Sequence, residues 1–324
     1  MEYSDFSYTV SDMMRPTHIY HADWGTAPSK RWLARATLNA DDRYTVHAPA
    51  LIEDYVNMIP SIRKQIDDGG CALVGFDFPI GIPASYAVQA GVSAFKPFLR
   101  ELGNREWADF YNVATVRSEI SLRRPFYPFS PGGKRQAHLL EALGLNEIDD
   151  LRRECEKKQP GRRAACSLFW TLGANQVGKG AIVGWRDVLA PALRNRTEVH
   201  LWPFDGDLID LLQPGMIVVV ETYPAECYGW FLTESLRGKG KQEVRRAVGS
   251  HLTKWAASLD LSLEPNLLGM IENGFPEGDD AFDAVVGLIG MIEVVTGRRQ
   301  PGEPNENRIR LLEGWILGQV VARS

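Results

Sequence analysis

The sequence lacks the cysteine spacing of a metal knuckle or of a disulfide framework. Its four cysteines, Cys71, Cys155, Cys166 and Cys227, are scattered, with no Cys-x-x-Cys pair; this excludes a zinc ribbon and a stapled miniature fold, and it fits a reducing cytoplasm. A long apolar run is also missing. The most hydrophobic stretch, Ala281 to Thr296, contains Asp283 and Glu293 and is too short and too charged to span a bilayer, so no membrane role is expected. The first seventeen residues carry Glu2, Asp5 and Asp12 without a basic start or apolar stretch, so no secretory signal is expected. There is no internal repeat, low-complexity tract or heptad run, and no helix-turn-helix or zinc-finger spacing. Base is scarce relative to acid: the formal net charge of −5 argues against indiscriminate binding to nucleic acid, which needs lysine and arginine to displace counterions.

What is present is an ordinary globular composition. With 324 residues, 44% hydrophobic and 24% charged, the chain can bury a sizeable core. Composition shifts nowhere sharply, so residues 1–324 read as one domain carrying a long insertion. His18 to Trp24, Arg31 to Leu38 and Arg43 to His47 read as three antiparallel strands. Leu51 to Asp67 reads as an amphipathic helix, with Leu51, Tyr55, Met58, Ile62 and Ile66 on one side and Gly69-Gly70 as its stop. Cys71 to Asp77 is a nearly continuous apolar run, as in a buried central strand. Residues 85–213 are mostly helical with basic loops, and form the insertion. Met216 to Glu221 is the strongest strand. Lys241 to Leu259 and a segment from Gly278-Asp279-Asp280 to Thr296 read as helices, and Ile309 to Val320 as a further short element. The sum is an α/β plan, a mixed sheet flanked by helices.

Acids stand at the ends of these elements. Asp23, Asp77 and Glu221 each close an apolar strand, and Asp280 and Asp283 lie in the first turn of the last long helix. In an open α/β sheet such positions converge on one crevice. Carboxylates crowded there are costly unless cations neutralise them, and hard oxygen ligands suit Mg²⁺ or Mn²⁺. Two such ions about 3.5–4 Å apart activate a water and stabilise the leaving oxygen of a phosphodiester. Blander roles compete: Asp279 or Asp280 as a helix cap, Asp23 and Asp77 as polar stops before turns, and Glu221 as a structural hydrogen-bond acceptor. Asp283 resists the bland reading, because it stands where the helix enters the core and an unpaired acid is expensive. Glu226 reads as solvated.

Four motifs taken together, Asp23-Trp24-Gly25, Gly75-Phe76-Asp77-Phe78-Pro79-Ile80-Gly81, Glu221-Thr222-Tyr223-Pro224-Ala225-Glu226 and Asp279-Asp280-Ala281-Phe282-Asp283-Ala284, resemble the "domain of unknown function 429" family, predicted nucleases with a ribonuclease-H-like fold. They span nearly the whole chain in the family's order. The resemblance implies a five-stranded mixed sheet in the order 3-2-1-4-5, with Asp23 on the central first strand, Asp77 on its neighbour, and Asp280 or Asp283 supplied by the final helix. That layout is similar to the Holliday junction resolvases, whose acids bind two metal ions. Metal-binding Asp23, Asp77 and Asp283, completed by Glu221 and Asp280, are therefore the expected catalytic set.

Other signals bear on substrate. Gly173-Ala174-Asn175-Gln176-Val177-Gly178-Lys179-Gly180 is one residue short of a phosphate-binding P-loop, since Gly180 replaces the metal-binding Ser or Thr; it reads first as a flexible glycine-rich turn, and its functional reading is that Lys179 and the backbone amides contact substrate phosphate near the acidic crevice. Arg123-Arg124, Lys134-Arg135 and Arg162-Arg163, interleaved with Phe126, Tyr127, Phe169 and Trp170, can grip a nucleic acid by charge and stacking, or form a solvated basic face over a local core. His18 and His21, three apart on a strand, point to opposite faces and make no metal pair. The leading expectation is a cytoplasmic, metal-dependent nuclease. The alternatives are a phosphotransferase or ATPase of the actin and sugar-kinase type, built on Asp23-Trp24-Gly25-Thr26, and a non-catalytic nucleic-acid-binding protein on the same fold.

Overall fold

Along His18–Trp24 the side chains alternate between two buried faces, Ile19 on one, Tyr20, Ala22 and Trp24 on the other. A computed structural model describes residues 14–67, 69–159, 162–172, 177–194 and 198–320. Its eight described strands are β1 (His18–Trp24), β2 (Arg31–Leu38), β3 (Tyr44–Val46), β4 (Ala50–Leu51), β5 (Ala72–Phe76), β6 (Val199–Leu201), β7 (Ile217–Glu221) and β8 (Ser262–Leu263). They form one sheet in the order β6-β7-β5-β1-β2-β3-β8, with β4 paired to β2 beside β3. The β1–β2 and β2–β3 pairs are antiparallel, whereas β5, β7 and β6 run parallel to β1.

The five expected strands thus lie in the expected order, β3-β2-β1-β5-β7, and the sheet is wider than expected. The additions are β8 beyond β3, β4 along β2, and β6, which the insertion itself contributes next to β7. Strands of two or three residues carry too few alternations to be read as a period.

The described helices are α1 (Met58–Arg63), α2 (Ala84–Ala90), α3 (Phe95–Glu101), α4 (Ala137–Leu143), α5 (Val177–Val183), α6 (Ala190–Arg194), α7 (Leu208–Leu211), α8 (Pro224–Phe231), α9 (Gln242–Ser258), α10 (Pro265–Glu272) and α11 (Asp279–Val295). The helix expected over 51–67 shrinks to α1, while Leu51 pairs with Trp32 across the sheet. Pro60 explains the difference. A proline is tolerated only in a helix's first turn, where N–H groups are free, so the helix cannot begin much before Met58. Residues 309–320 supply one short π-helical turn, Ile309–Glu313.

The two faces of the sheet are covered by different parts of the chain. Tyr20, Ala22, Trp24, Val74, Phe76 and Ile217 pack under the 85–213 segment, whose Phe95, Phe110, Phe126 and Trp185 are almost fully buried. This segment holds short helices and loops joined by an aromatic core, a simpler account of its many rings than a stacking surface for bases. Ile19, Leu73, Val218 and Val220 pack under α8, α9, α10 and α11. Every residue of α11 from Ala281 to Val295 is buried, as expected of a helix apolar nearly all round. Among the described residues no helix is long and apolar enough to cross a membrane.

Candidate active site

A buried histidine sets α11 on β1. His21 is inaccessible to solvent; its Nδ1 lies 2.9 Å from the Ala284 carbonyl and its Nε2 lies 2.8 Å from the Thr222 hydroxyl. A carbonyl only accepts, so Nδ1 carries the proton and Nε2 accepts from Thr222. Burial pushes this imidazole down to about 4, opposed by the bond to Ala284, and it is neutral near pH 7. The single side chain therefore ties β1 to α11 and to the residue after β7. One residue before Ala284, Asp283 comes to lie over the end of β1.

Asp23 and Asp77 meet there. The parallel register pairs Ala22 with Phe76, so the residues that follow are neighbours at the carboxyl end of the sheet. The Trp24 N–H donates to Asp77 Oδ1 at 2.7 Å, fixing that carboxylate against β1. Asp23, at 7% exposure, and Asp283, at 5%, are both buried. Burial first, and then the charges of Asp77, Asp283 and Asp280, push Asp23 well above the usual carboxylate range. Asp77 is pushed up to about 6 by burial and by Asp283, against the Trp24 N–H and a hydrogen bond from Asp23. Asp280, half-buried, is raised by burial and by Asp279.

Asp283 is paired rather than orphaned. Tyr228 of α8 donates to its Oδ1, and the Lys239 ammonium donates to its Oδ2. Burial raises Asp283, and Lys239 and Tyr228 hold it down. Among the described residues, no three His, Cys, Asp or Glu side chains are already grouped as a cation site. Asp283 is turned to Lys239 and Tyr228, and Asp23 and Asp77 are turned to one another.

Glu221 is placed elsewhere. It shares the face of Ile217 and Val219, under the 85–213 segment, and pairs with the fully buried Arg153, with Nη1 and Nη2 each 2.6 Å from one carboxylate oxygen. Its Oε2 also accepts from the Ile80 N–H at 2.6 Å. Arg153 further donates to Glu156 and to the Ile80 and Glu313 carbonyls, so this network clamps the segment to the sheet end and to the C-terminal stretch. Burial raises Glu221 and Arg153 opposes it. Glu226, read as solvated, instead pairs with Arg162 at 2.6 Å and is raised by burial.

The expected substrate contacts divide similarly. Arg123 pairs with Glu106 and lies 3.5 Å over the Trp107 ring. Arg124 donates to the Asn112 and Val113 carbonyls. Both are engaged within the segment. Lys179 is half-buried on α5, beside Gly180, where a Cβ would be 3.4 Å from the Trp24 carbonyl; α5 therefore begins against the end of β1. Gly173 to Gln176 lie outside the described residues. Close packing accounts for Gly178, since a Cβ there would fall 2.3 Å from the Leu168 carbonyl oxygen. The Asp23–Thr26 turn, the feature behind a phosphotransferase reading, is closed by Arg31, which donates to the Gly25 and Thr26 carbonyls at 2.9 Å.

Compared with protein-family models, curated proteins and solved structures, the chain matches none.

Proposed function

We propose that this chain is a divalent-metal-dependent phosphodiester hydrolase, a nuclease on a ribonuclease-H-like fold of the "domain of unknown function 429" kind. The observation that carries the reading is the meeting of Asp23, Asp77 and Asp283, from two central strands and one buried helix, at the carboxyl end of the sheet, where Asp77, Asp283 and Asp280 raise the proton affinity of Asp23, and Asp283 raises that of Asp77. The strand order β3-β2-β1-β5-β7 supports the fold assignment. Structural ion networks usually balance acid with base. Here Asp23, Asp77 and Asp283 share the charge of Lys239, while Asp280 also feels Lys30 and Arg245.

The donor set fits a hard cation. All the candidate ligands are carboxylate oxygens, the choice for Mg²⁺ or Mn²⁺, and a cation, the Lys239 ammonium, already stands among them. Asp23, Asp77 and Asp283 would hold the metal, with Asp280 at the margin. A bound Mg²⁺ or Mn²⁺ supplies an acidified water and charge stabilisation on the phosphoryl oxygens. The protein's own part is positional: His21 and Thr222 hold α11 in register, the Trp24 N–H orients Asp77, and Tyr228 orients Asp283. Glu221 belongs to the scaffold in this reading. The substrate is a nucleic acid, with Lys179 its expected contact on the helix whose Gly180 lies against the Trp24 carbonyl, and the compartment is the cytoplasm, in keeping with four free thiols, three of them buried.

That no three acids among the described residues are grouped as a cation site, with Asp283 neutralised by Lys239, favours a second reading, a non-catalytic nucleic-acid-binding protein on the same fold. One experiment separates the two. Mn²⁺ calorimetry on wild type and Asp283→Asn, run beside cleavage of single- and double-stranded DNA and RNA, is expected to give Asp283-dependent binding and Mn²⁺-dependent cleavage. Binding of nucleic acid with neither Mn²⁺ uptake nor cleavage would transfer the case to the non-catalytic reading.

A further inference from the structure

Lys239 combines a fixed root with a partly exposed arm. Its carbonyl accepts from Arg245 Nη1 at 2.6 Å, and the same guanidinium donates to the Gly274 and Phe275 carbonyls at 3.1 and 2.9 Å. Arg245 is buried, so the backbone of Lys239 is tied to the segment that leads into α11. Its neighbours, Gly238 at φ +72° and Gly240, form a turn with no regular structure. The side chain differs from its root: it is 36% exposed along its length while its ammonium reaches Asp283, whose side chain is 7% exposed.

We propose that Lys239 is a tethered counter-ion that competes with a divalent cation for Asp283 and so sets the ion concentration at which the site loads. The inference rests on the metal-dependent reading above and names a regulation of that site. Three observations carry it. The ammonium occupies an oxygen of a carboxylate from the expected ligand set. It faces Asp23, Asp77 and Asp280 as well, so a single charge serves several carboxylates. The arm has a route out, because a flexible four-carbon stem that is one-third exposed returns its strongly hydrated ammonium to water by side-chain rotation alone, with the Arg245 anchor intact. A divalent cation at the same oxygens replaces one charge by two. Lys239 then leaves Asp283 for solvent.

The test compares wild type, Lys239→Met and Lys239→Arg as full chains, by calorimetry with Mn²⁺ and by thermal denaturation with and without it. Lys239→Met is expected to bind Mn²⁺ about tenfold more tightly, because a competing unit charge within hydrogen-bond distance has been removed. It is also expected to melt earlier than wild type without ion and to recover when Mn²⁺ is added. Lys239→Arg, which keeps the charge and can hold Asp283 through two donors, is expected to bind Mn²⁺ more weakly than wild type, and it keeps the question open to test if the methionine variant does not fold. In wild type, the Lys239 Nζ resonance, followed by ¹⁵N-detected spectroscopy, is expected to move to a freely hydrated position on Mg²⁺ saturation. Equal Mn²⁺ affinity in all three proteins would overturn the counter-ion role and leave the metal site standing. Absence of binding in all three would overturn the metal-dependent reading, and this inference with it.

Discussion

The ring of His21 lies so close over Gly287 that a Cβ added to the glycine would fall 2.2 Å from Cε1 and 2.3 Å from Nε2. This close approach lets α11 ride directly on β1, and it sets how near Asp283 comes to Asp23. Gly287→Ala is expected to lower stability by about 1–3 kcal/mol, the cost of overpacking a filled core, read as a shift in the urea midpoint. His21→Ala in the same chain makes room and is expected to restore part of the loss. A double-mutant cycle that gave simple additivity would show that the contact does not couple the two residues.

How much of this was legible in the sequence depended on where each partner lies. Apolar runs that end in acids mark the strands, whereas their order is implied only by the family resemblance; Asp23 and Asp77 stand out because each closes such a run, and Asp283 because it stands where the helix enters the core. The face of Glu221 was not legible. All of Ile217–Glu221 is buried, so the apolar run carries no alternation to say which residues look toward α11. Tyr228 and Lys239 were missed because they lie 55 and 44 residues from Asp283 along the chain, in a helix and a loop whose packing no local pattern encodes. In the sequence His21 stands out only as one of two histidines that make no metal pair, and its role as a peg between strand and helix depends on Gly287, 266 residues further along the chain.

The carboxylates give a pH dependence of definite sign. Asp77 is raised from an ordinary 3.8 to about 6, so between those values the folded protein holds a proton that the unfolded chain has lost. Stability from this source is present at low pH and disappears as pH rises through about 6. His21 has the opposite sign: lowered from 6.5 to about 4, it makes the unfolded chain bind more protons in that range, and its contribution is lost as pH falls. The two overlap between about 4 and 6, and partly cancel in wild type. The difference between Asp77→Asn and wild type is therefore the quantity to measure, in EDTA, by urea denaturation. It is expected to move in favour of the variant by on the order of 2 kcal/mol as pH rises from about 4 to 6, and to level off above. A difference independent of pH would mean that Asp77 titrates normally.

Arg123 and Arg124 test the insertion. Each already satisfies donors within the segment, Arg123 with Glu106 and the Trp107 ring and Arg124 with the Asn112 and Val113 carbonyls. Alanine at either position is expected to cost about 1 kcal/mol of stability through lost packing and hydrogen bonds. The salt dependence of any nucleic-acid affinity should be unchanged, because no phosphate contact has been removed. A slope reduced by about one in log–log units would instead return these arginines to the substrate surface.

Glu221 and Asp23 both close strands of the same sheet, and their environments predict opposite behaviour. Glu221 neutralises a fully buried guanidinium, so Glu221→Gln leaves Arg153 with Glu156 as its one ion-pair partner among the described residues and is expected to destabilise by roughly 3 kcal/mol. Asp23 is surrounded by like charges, so Asp23→Asn removes repulsion and is expected to stabilise the metal-free protein by about 1 kcal/mol. The Mn²⁺ response reverses the order. Asp23→Asn is expected to abolish binding by calorimetry, whereas Glu221→Gln, if it remains folded at low temperature, should bind within about twofold of wild type, since its network does not touch the cluster. Loss of Mn²⁺ binding in folded Glu221→Gln would put this carboxylate back into the site; an Asp23→Asn protein that melts earlier and binds normally would remove Asp23 from it.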